Sequence, residues 1–338
     1  MARSAYWDSV KFILIFLVVY THTVSPFRSD SLFNTAIYNF VYLFHMPLFI
    51  FISGRFSHIH DRKRFRYRTV QLVETYIVFQ LLFTSFSLLT GKSISISSLT
   101  KPNWVFWYLL SLAYWRLMVY YIPQNWLQQR KRVLLLSIFI SLAVGYLPIG
   151  YHFAIHRTLS FLPFFVMGYY STDIDLHKLI NRIPSYIATG ILITTFALTS
   201  VTLRYNYAYI LHCPYKDWVT IPAFMMTSFP VSRCLFICIV VILSVMVLRL
   251  VRPSSHFAKW GERTLFIYIY HTLALKSLFQ LIFRNYLPQN EWLLVVYAIL
   301  ITMGLLYLSR YKVFNILLNP ISYYREFMQK ANHNNCEK

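Results

Sequence analysis

The stretch YWDSVKFILIFLVVYTH, residues 6–22, decides the fold. Its centre, from Phe12 to Val19, is an unbroken run of aliphatic and aromatic side chains. A helix that crosses a bilayer needs about 20 mainly apolar residues, because no unsatisfied backbone group can face lipid, and residues 8–26 meet that length. No small-residue cleavage site follows the run, so we expect this first span to be retained rather than removed as a signal peptide.

The composition of the whole chain agrees with the first span. Of its 338 residues, 57% are hydrophobic and only 13% are charged, whereas about 25% are charged in an average soluble protein. The mean hydropathy is +0.50. A chain with so few polar residues cannot cover a water-facing surface, which excludes a soluble enzyme and favours an all-α integral membrane protein.

The apolar segments predict a bundle of about ten transmembrane helices in one domain, 1–338, with a cytoplasmic tail at 311–338. Residues 205–232 are rich in Pro, Tyr and polar residues and predict a long loop. The predicted spans are approximately 8–26, 34–54, 70–90, 103–122, 133–150, 157–172, 184–203, 233–250, 264–284 and 291–309.

The formal charge of +21 predicts the orientation of this bundle. If the amino terminus is cytoplasmic, 22 of the 32 Lys and Arg residues lie on that side and eight on the other, with Arg116 and Lys276 inside spans. Because cytoplasmic loops carry the excess of Lys and Arg, both termini are expected in the cytoplasm, in the inner or plasma membrane. The basic residues lie in short, separate loops, so no nucleic-acid partner is expected. The four cysteines form no ligand pattern, and no metal site is expected.

Ionisable residues inside the spans are candidates for function, since they are costly in lipid. Each also has a structural alternative. The Lys, Glu and Arg side chains could extend to an interface, and a neutral His could bridge two helices by hydrogen bonds. The residues concerned are Lys11, His22, His45, Glu74, Arg116, His271 and Lys276.

The first span places two of these candidates on one helix face. Lys11 and His22 are eleven residues apart, which is three turns plus about 20° and a rise of about 16.5 Å. Asp8 lies one turn before Lys11 on that face and either pairs with it or caps the helix. A cation at one end and an imidazole, which titrates near neutral pH, at the other suit an elongated ligand with an anionic head and a reactive tip. An acyl-CoA has that shape.

Four stretches in the expected order resemble the acyltransferase 3 family of integral-membrane acyltransferases, in particular its fucose 4-O-acetylase-like branch. They are the first-span pattern YWDSVK with VVYTH, the second-span run FHMPLF ending in Ser53 and Gly54, the segment FLPFFVMGY, and GERTL followed by YIYH; they occupy residues 6–22, 44–54, 161–169 and 261–271.

The resemblance implies transfer of an acyl group, usually acetyl, from cytosolic acyl-CoA to a hydroxyl of a glycan or similar acceptor. It makes His22 the principal catalytic residue. Lys11 stands where the family often has Arg, and the family's Arg-containing motif before the third span fits several registers here. The candidate donor-binding residues are therefore Lys11, Arg62, Lys63, Arg64, Arg66 and Arg68.

The leading hypothesis is O-acetylation of a cell-surface polysaccharide or its lipid-linked precursor, with acetyl-CoA as donor substrate and no permanently bound cofactor. His22 acts as general base or as acetyl acceptor, supported by Asp8 and Lys11. The supporting candidates are His45, Trp107, Tyr108 and His271, although Trp104, Trp107 and Tyr108 equally fit an ordinary aromatic belt.

On topology alone, residues 146–157 and 205–232 are expected to hold the acceptor. The rival hypothesis is a transporter or flippase of a polysaccharide or lipid-linked glycan, since ten spans and midplane histidines are compatible with it.

Overall fold

A computed structural model describes residues 4–89, 99–202, 207, 209–218, 228–276 and 290–336. All regular elements in these ranges are helical, with no strand among them. Short turns of helix lie between some of the main helices, at Gln124–Leu127, Leu176–Asn181 and Tyr209–His212. The main helices are α1 (Ala5–Val24), α2 (Leu32–Arg55), α3 (Arg62–Leu89), α4 (Trp107–Tyr121), α5 (Arg130–Ala143), α6 (Ile155–Ser160), α7 (Leu162–Tyr170), α8 (Ser185–Val201), α9 (Phe229–Leu250), α10 (Ser255–Gly261), α11 (Thr264–Leu273), α12 (Glu291–Leu308), α13 (Lys312–Leu318) and α14 (Pro320–Cys336).

Five segments in the described ranges are long and apolar enough to cross a bilayer. They are Ala5–Arg28, Leu32–Arg55, Arg62–Leu89, Phe229–Leu250 and Glu291–Leu308. The prediction of an all-helical membrane protein is confirmed, while the number of ten spans and the orientation stay predictions.

The remaining predicted spans coincide with shorter helices. Helices α4, α5 and α8 have 15, 14 and 17 residues. The predicted span 157–172 is divided between α6 and α7 at Phe161, and the predicted span 264–284 runs past residue 276 and out of the described residues.

Helix α1 lies inside the bundle. It packs against α2, α10, α11 and α12, and Val10, Leu14, Ile15 and Val19 along its length are fully buried. By contrast, only 28% of the apolar window of α3 and of α12 is buried, so those helices present most of their surface to lipid. The polar residues of α1 therefore face protein rather than hydrocarbon, which is where an intramembrane site can be built.

Helices α2 and α7 approach so closely at two points that only glycine fits there. A Cβ added at Gly54 in α2 would collide with the backbone carbonyl of Phe165 in α7, and one added at Gly168 in α7 would collide with the carbonyl of Phe51 in α2. Both glycines come from the stretches that resemble the acyltransferase 3 family. In this chain they allow the α2 and α7 backbones to touch, which is a packing role.

The carboxyl-terminal segment is held to α3 by a buried carboxylate. Glu74 Oε1 accepts hydrogen bonds from the backbone N–H groups of Ile321 and Ser322 at 2.6 and 3.1 Å, and its Oε2 accepts one from the Ser322 hydroxyl. These N–H groups belong to the first turn of α14, which has no intrahelical partner for them. Glu74 thus caps α14 instead of extending to an interface, and the predicted tail 311–338 is helical through Cys336.

Candidate functional site

The amino-terminal end of α1 carries an ion pair. The Lys11 ammonium donates to Asp8 Oδ1 at 2.9 Å, with the Asp8 side chain 6% exposed and that of Lys11 25% exposed. Ser4 occupies the N-cap position of α1, and Asp8 lies one turn inside the helix. Of the two roles that the sequence left open for Asp8, pairing with Lys11 is the one present.

Helix α10 fixes the position of this pair. A Cβ added at Gly261, the last residue of α10, would collide with the Asp8 carbonyl. The backbones of α1 and α10 are therefore in contact at the residue that holds Lys11. Gly261, the glycine of the GERTL stretch, therefore has a packing role in this chain, as Gly54 and Gly168 do.

Lys11 lines a cavity of about 540 Å³ that we name the basic pocket. Its cations come from four helices or the turns beside them, so the chain fold concentrates positive charge that is scattered in sequence. Such a concentration favours a polyanionic ligand. The basic pocket is lined by Ser4, Asp8, Lys11, Arg55, Phe56, His58, His60, Asp61, Arg64, Phe65, Arg68 and Arg116.

Only some residues of the predicted Arg62 to Arg68 cluster line the basic pocket. Arg64 and Arg68 line it, whereas Lys63 and Arg66 do not. Arg62 points elsewhere, with its guanidinium carbon 4.6 Å from the centre of the Tyr120 ring. The division follows from helix geometry, because positions four apart on α3 share a face.

Arg55 and Arg116 also line the basic pocket, and no donor-binding role was predicted for them. Arg55 donates to the Ser171 hydroxyl at 2.9 Å. Arg116 donates from Nε to the Thr69 hydroxyl at 2.9 Å and stacks 4.0 Å from the centre of the Phe65 ring. The position of Arg116 inside a predicted span was a signal in the sequence for a functional role. Arg55 carries no such signal, because it is one of several basic residues in its stretch.

The carboxyl-terminal half of α1 lines a second cavity, of about 460 Å³, that we name the histidine cavity. Half of its described lining residues carry aromatic rings, six of them Tyr or Trp and three His, and two cations, Lys101 and Arg157, also line it. His22, His45, Trp104, Trp107, Arg157 and His212 are among its lining residues.

His22 lies between Trp104, which lines the cavity, and His271, which stands behind it. The His22 imidazole stacks on Trp104 with centroids 4.5 Å apart and an interplanar angle of 29°, and it lies 5.3 Å from the His271 ring. Among the described residues, His22 Nδ1 is buried without a hydrogen-bond partner. Within that part of the chain the ring is oriented by packing, and no carboxylate or carbonyl orients it as in a Ser-His-Asp triad.

The other two predicted histidines are fixed by their backbones. Nδ1 of His45 lies 2.8 Å from the Val41 carbonyl, and Nδ1 of His271 lies 3.1 Å from the Ile267 carbonyl. A carbonyl oxygen only accepts, so each Nδ1 carries the proton and each Nε2 a lone pair. His45 lines the histidine cavity and His271 stands behind His22.

Of the predicted aromatic pair, only Trp107 lines the histidine cavity. Its ring packs on Phe161 and His212 at centroid distances of 5.3 and 5.7 Å. Tyr108 points away from the cavity and into the core, where its hydroxyl lies 2.6 Å from the Ser53 hydroxyl. The structure therefore separates these neighbours into a cavity residue and a packing residue.

Trp104 has a strained backbone. Its φ is +43°, in the left-handed region that non-glycine residues rarely adopt. The neighbouring residues begin a short 3-10 turn, Trp104–Phe106, which leads into α4. Strain of this kind persists only where the surroundings impose it and is frequent at functional sites. In this chain it places the indole against His22.

The two segments predicted to hold the acceptor do contribute to the histidine cavity. Tyr151 and Arg157 come from the first, and His212 and Cys213 from the second. Burial, with Arg157 and then His45 and His156 nearby, holds the pKa of His212 well below its usual value of 6.5. His212 is therefore neutral at pH 7 and leaves the positive charge of the wall to Arg157 and Lys101.

No group of three or more His, Cys, Asp or Glu side chains in the described ranges could hold a metal ion. The described lining of the two cavities offers cations, imidazoles, phenols and aromatic faces, with the Asp8 and Asp61 carboxylates in the basic pocket and the Cys213 thiol in the histidine cavity.

Comparison with known proteins gives one match. The model of a family described as an acyltransferase domain matches residues 4–311, which is most of the chain and includes both cavities. No curated protein and no solved structure matches. A match of that extent, together with the helical membrane architecture, shows that the chain belongs to the acyltransferase 3 family and supports acyltransferase activity.

Proposed function

We propose that the protein transfers an acetyl group from cytosolic acetyl-CoA to a hydroxyl of a cell-surface polysaccharide or its lipid-linked precursor, as a member of the fucose 4-O-acetylase-like branch. In this proposal the chain crosses the cytoplasmic membrane about ten times with both termini inside. The basic pocket then opens to the cytoplasm and the histidine cavity lies deeper, toward the outer face.

The observation that carries the proposal is that one helix serves both cavities. Lys11 of α1 lines the basic pocket and His22 of α1 lines the histidine cavity. The two residues are separated by about 16.5 Å along the helix axis. An elongated donor with an anionic nucleotide at one end and a thioester at the other matches that division of charge and imidazole.

The phosphates of CoA are assigned to the basic pocket, where Lys11, Arg64 and Arg68 converge. Arg62, Lys63 and Arg66 lie outside the pocket lining and contribute to the positive field that attracts the donor. Lys11 presents a compact ammonium rather than a planar fork, so it supplies charge without the bidentate geometry of Arg.

In the direct route, neutral His22 takes the proton from the acceptor hydroxyl as its oxygen attacks the thioester carbonyl. The C–S bond breaks as the ester C–O bond forms, and the imidazolium returns the proton to the departing CoA thiolate. In the covalent route, the acetyl group passes first to a nitrogen of His22 and then to the acceptor. Labelled acetyl trapped on His22 without acceptor favours the second route, whereas strictly ternary kinetics favour the first.

The test compares host cells that carry wild-type protein, His22→Ala or His256→Ala. His256 is an exposed histidine outside both cavities and is the matched control. Mass spectrometry of the surface glycans should find ester-linked acetate in the wild type and the control but not in His22→Ala, with the amount of glycan unchanged in all three. Loss of the glycan itself from His22→Ala cells would favour the transporter hypothesis instead.

A further inference from the structure

Arg157 is a cation in the histidine cavity without an anionic partner. Its guanidinium carbon lies 5.4 Å from the centre of the Trp107 ring and 5.2 Å from that of the Tyr151 ring. Its Nε is buried and makes no hydrogen bond. Within the described part of the chain, no ion pair or hydrogen bond joins its guanidinium to another residue. Of the contacts described there, the two aromatic rings are what hold the guanidinium in place.

The surroundings of Arg157 supply no compensating charge. Among the described residues that line the histidine cavity there is no Asp or Glu, and Lys101 adds a second cation. The groups that act on Arg157 include the Cys213 thiol and the phenols of Tyr151, Tyr42 and Tyr268, and thiols and phenols are ordinarily neutral at pH 7.

Arg157 is half-buried, and the fully buried Arg233 shows what a structural role looks like in this chain. Arg233 donates from its two terminal nitrogens to the carbonyls of Ser141 and Cys213, at 2.9 and 2.8 Å, and ties two chain segments together. Arg157 makes no such bond. Both arginines stack on aromatic rings. They differ in their terminal nitrogens, which donate to carbonyls in Arg233 and are available to a ligand in Arg157.

A cation removed from water without a partner is costly, and the cost is recovered when an anion binds. A guanidinium fixed between two rings is preorganised for a carboxylate or a phosphate, which it binds through two parallel hydrogen bonds. The same cavity contains His22, at which acetyl transfer is proposed above. Because both residues line this one cavity, a single ligand in it has access to both Arg157 and His22.

We propose that the acceptor is an acidic saccharide, whose carboxylate or phosphate binds Arg157 while one of its hydroxyls meets His22. This inference rests on the proposed function for the use of the cavity as the acceptor site. A neutral glycan would leave the cation unpaired, and sites with an unpaired buried polar group reject the ligand that fails to satisfy it.

The experiment measures binding and transfer separately on the purified full-length protein. Three probes are used: methyl β-glucuronide, glucose 1-phosphate and the neutral methyl β-glucoside. Binding is followed by tryptophan fluorescence, because Trp104 and Trp107 line the cavity. The variants are Arg157→Gln, Arg157→Lys, His22→Ala and, as a charge-matched control, Arg182→Gln, which removes an exposed arginine outside both cavity linings and outside the segments expected to hold the acceptor.

Wild type should bind at least one charged probe about tenfold more tightly than the glucoside, as expected for a charge-assisted pair. The glucuronide and phosphate arms identify which anion is preferred. Arg157→Gln should abolish the preference, Arg157→Lys should keep part of it, and Arg182→Gln should keep all of it. Thermal unfolding shows whether each variant is folded. If Arg157→Gln does not fold, the comparison of Arg157→Lys with wild type still tests the inference.

Failure of this inference and failure of the proposed function give different results. Equal binding of charged and neutral probes by wild type, no binding of any probe, or a preference that survives Arg157→Gln overturns the acidic acceptor. His22→Ala should retain the binding preference while it loses transfer. If transfer to the preferred probe class persists in His22→Ala, the assignment of His22 is wrong and the anion preference still stands.

Discussion

Replacing Gly261 by Ala should destabilise the protein and weaken its hold on acetyl-CoA. The added Cβ would collide with the Asp8 carbonyl, and both colliding groups belong to backbone, so neither can rotate away. Helix α10 must therefore move relative to α1. Asp8 carries the ion pair to Lys11, so the displacement reaches the basic pocket as well as the core.

The expected size follows from two opposing effects. Forcing one extra methyl into a closely packed contact costs about 1 to 3 kcal/mol. Replacing a helical Gly by Ala gains about 0.5 to 1 kcal/mol when nothing is in the way. Gly261 has no positive φ, so strain is not a further term. The overlap is with backbone, so the cost lies at the upper end of its range and the net loss is about 2 kcal/mol. For a chain of this size that corresponds to a fall in Tm of a few degrees.

Gly190 in α8 and Gly304 in α12 are the controls, since a Cβ at either would meet nothing within 4 Å. Thermal unfolding of detergent-purified protein should place Gly261→Ala below wild type and both controls at or above it. Gly261→Ala should also raise the KM for acetyl-CoA. If Gly261→Ala melts with the two controls, α1 and α10 do not touch at Asp8, and the positioning of Lys11 must be explained otherwise.

Three further variants test individual contacts. Tyr108→Phe removes the hydroxyl that pairs with Ser53 and should cost about 1 to 2 kcal/mol of stability in thermal unfolding, with less than additive loss in the double variant with Ser53→Ala; additive losses would mean that the two hydroxyls do not interact. Glu74→Gln weakens the cap on α14 at Ser322 and should speed proteolysis of the carboxyl-terminal helix severalfold, whereas an unchanged digestion rate would contradict the cap. Lys11→Gln should raise the KM for acetyl-CoA about tenfold with a smaller change in kcat, and Lys11→Arg should restore it, because the interaction is one of charge; equal kinetics in all three proteins would remove Lys11 from the donor site.

Local periodicity was enough to predict which polar residues share one face of α1. The eleven-residue spacing of Lys11 and His22 places them on one side of a helix at a known separation, and α1 is a continuous helix over that range. The separation of Arg64 and Arg68 from Lys63 and Arg66 follows from the same geometry once the helix is known. This separation could not be predicted because the register of the basic motif was not known from the sequence.

Contacts between distant segments could not be predicted in this way. Trp104 reaches His22 only because its backbone adopts φ +43°, and no propensity favours that conformation for Trp. Arg157, His212 and Trp107 meet through three separate elements whose packing leaves no period in the sequence. Glu74 was identified as an intramembrane charge, but its partner Ser322 lies 248 residues away, beyond any local pattern.

The most direct test of the central claim is the rate of acetyl transfer by purified His22→Ala protein. Wild type, His22→Ala and His256→Ala are incubated with radiolabelled acetyl-CoA and deacetylated surface glycan from the host, and label in the glycan is counted. If His22 is the catalytic group, His22→Ala should transfer at least about a hundredfold more slowly than wild type, while its thermal stability and the rate of the His256→Ala control remain unchanged. Transfer by folded His22→Ala at a rate close to that of wild type would contradict the account.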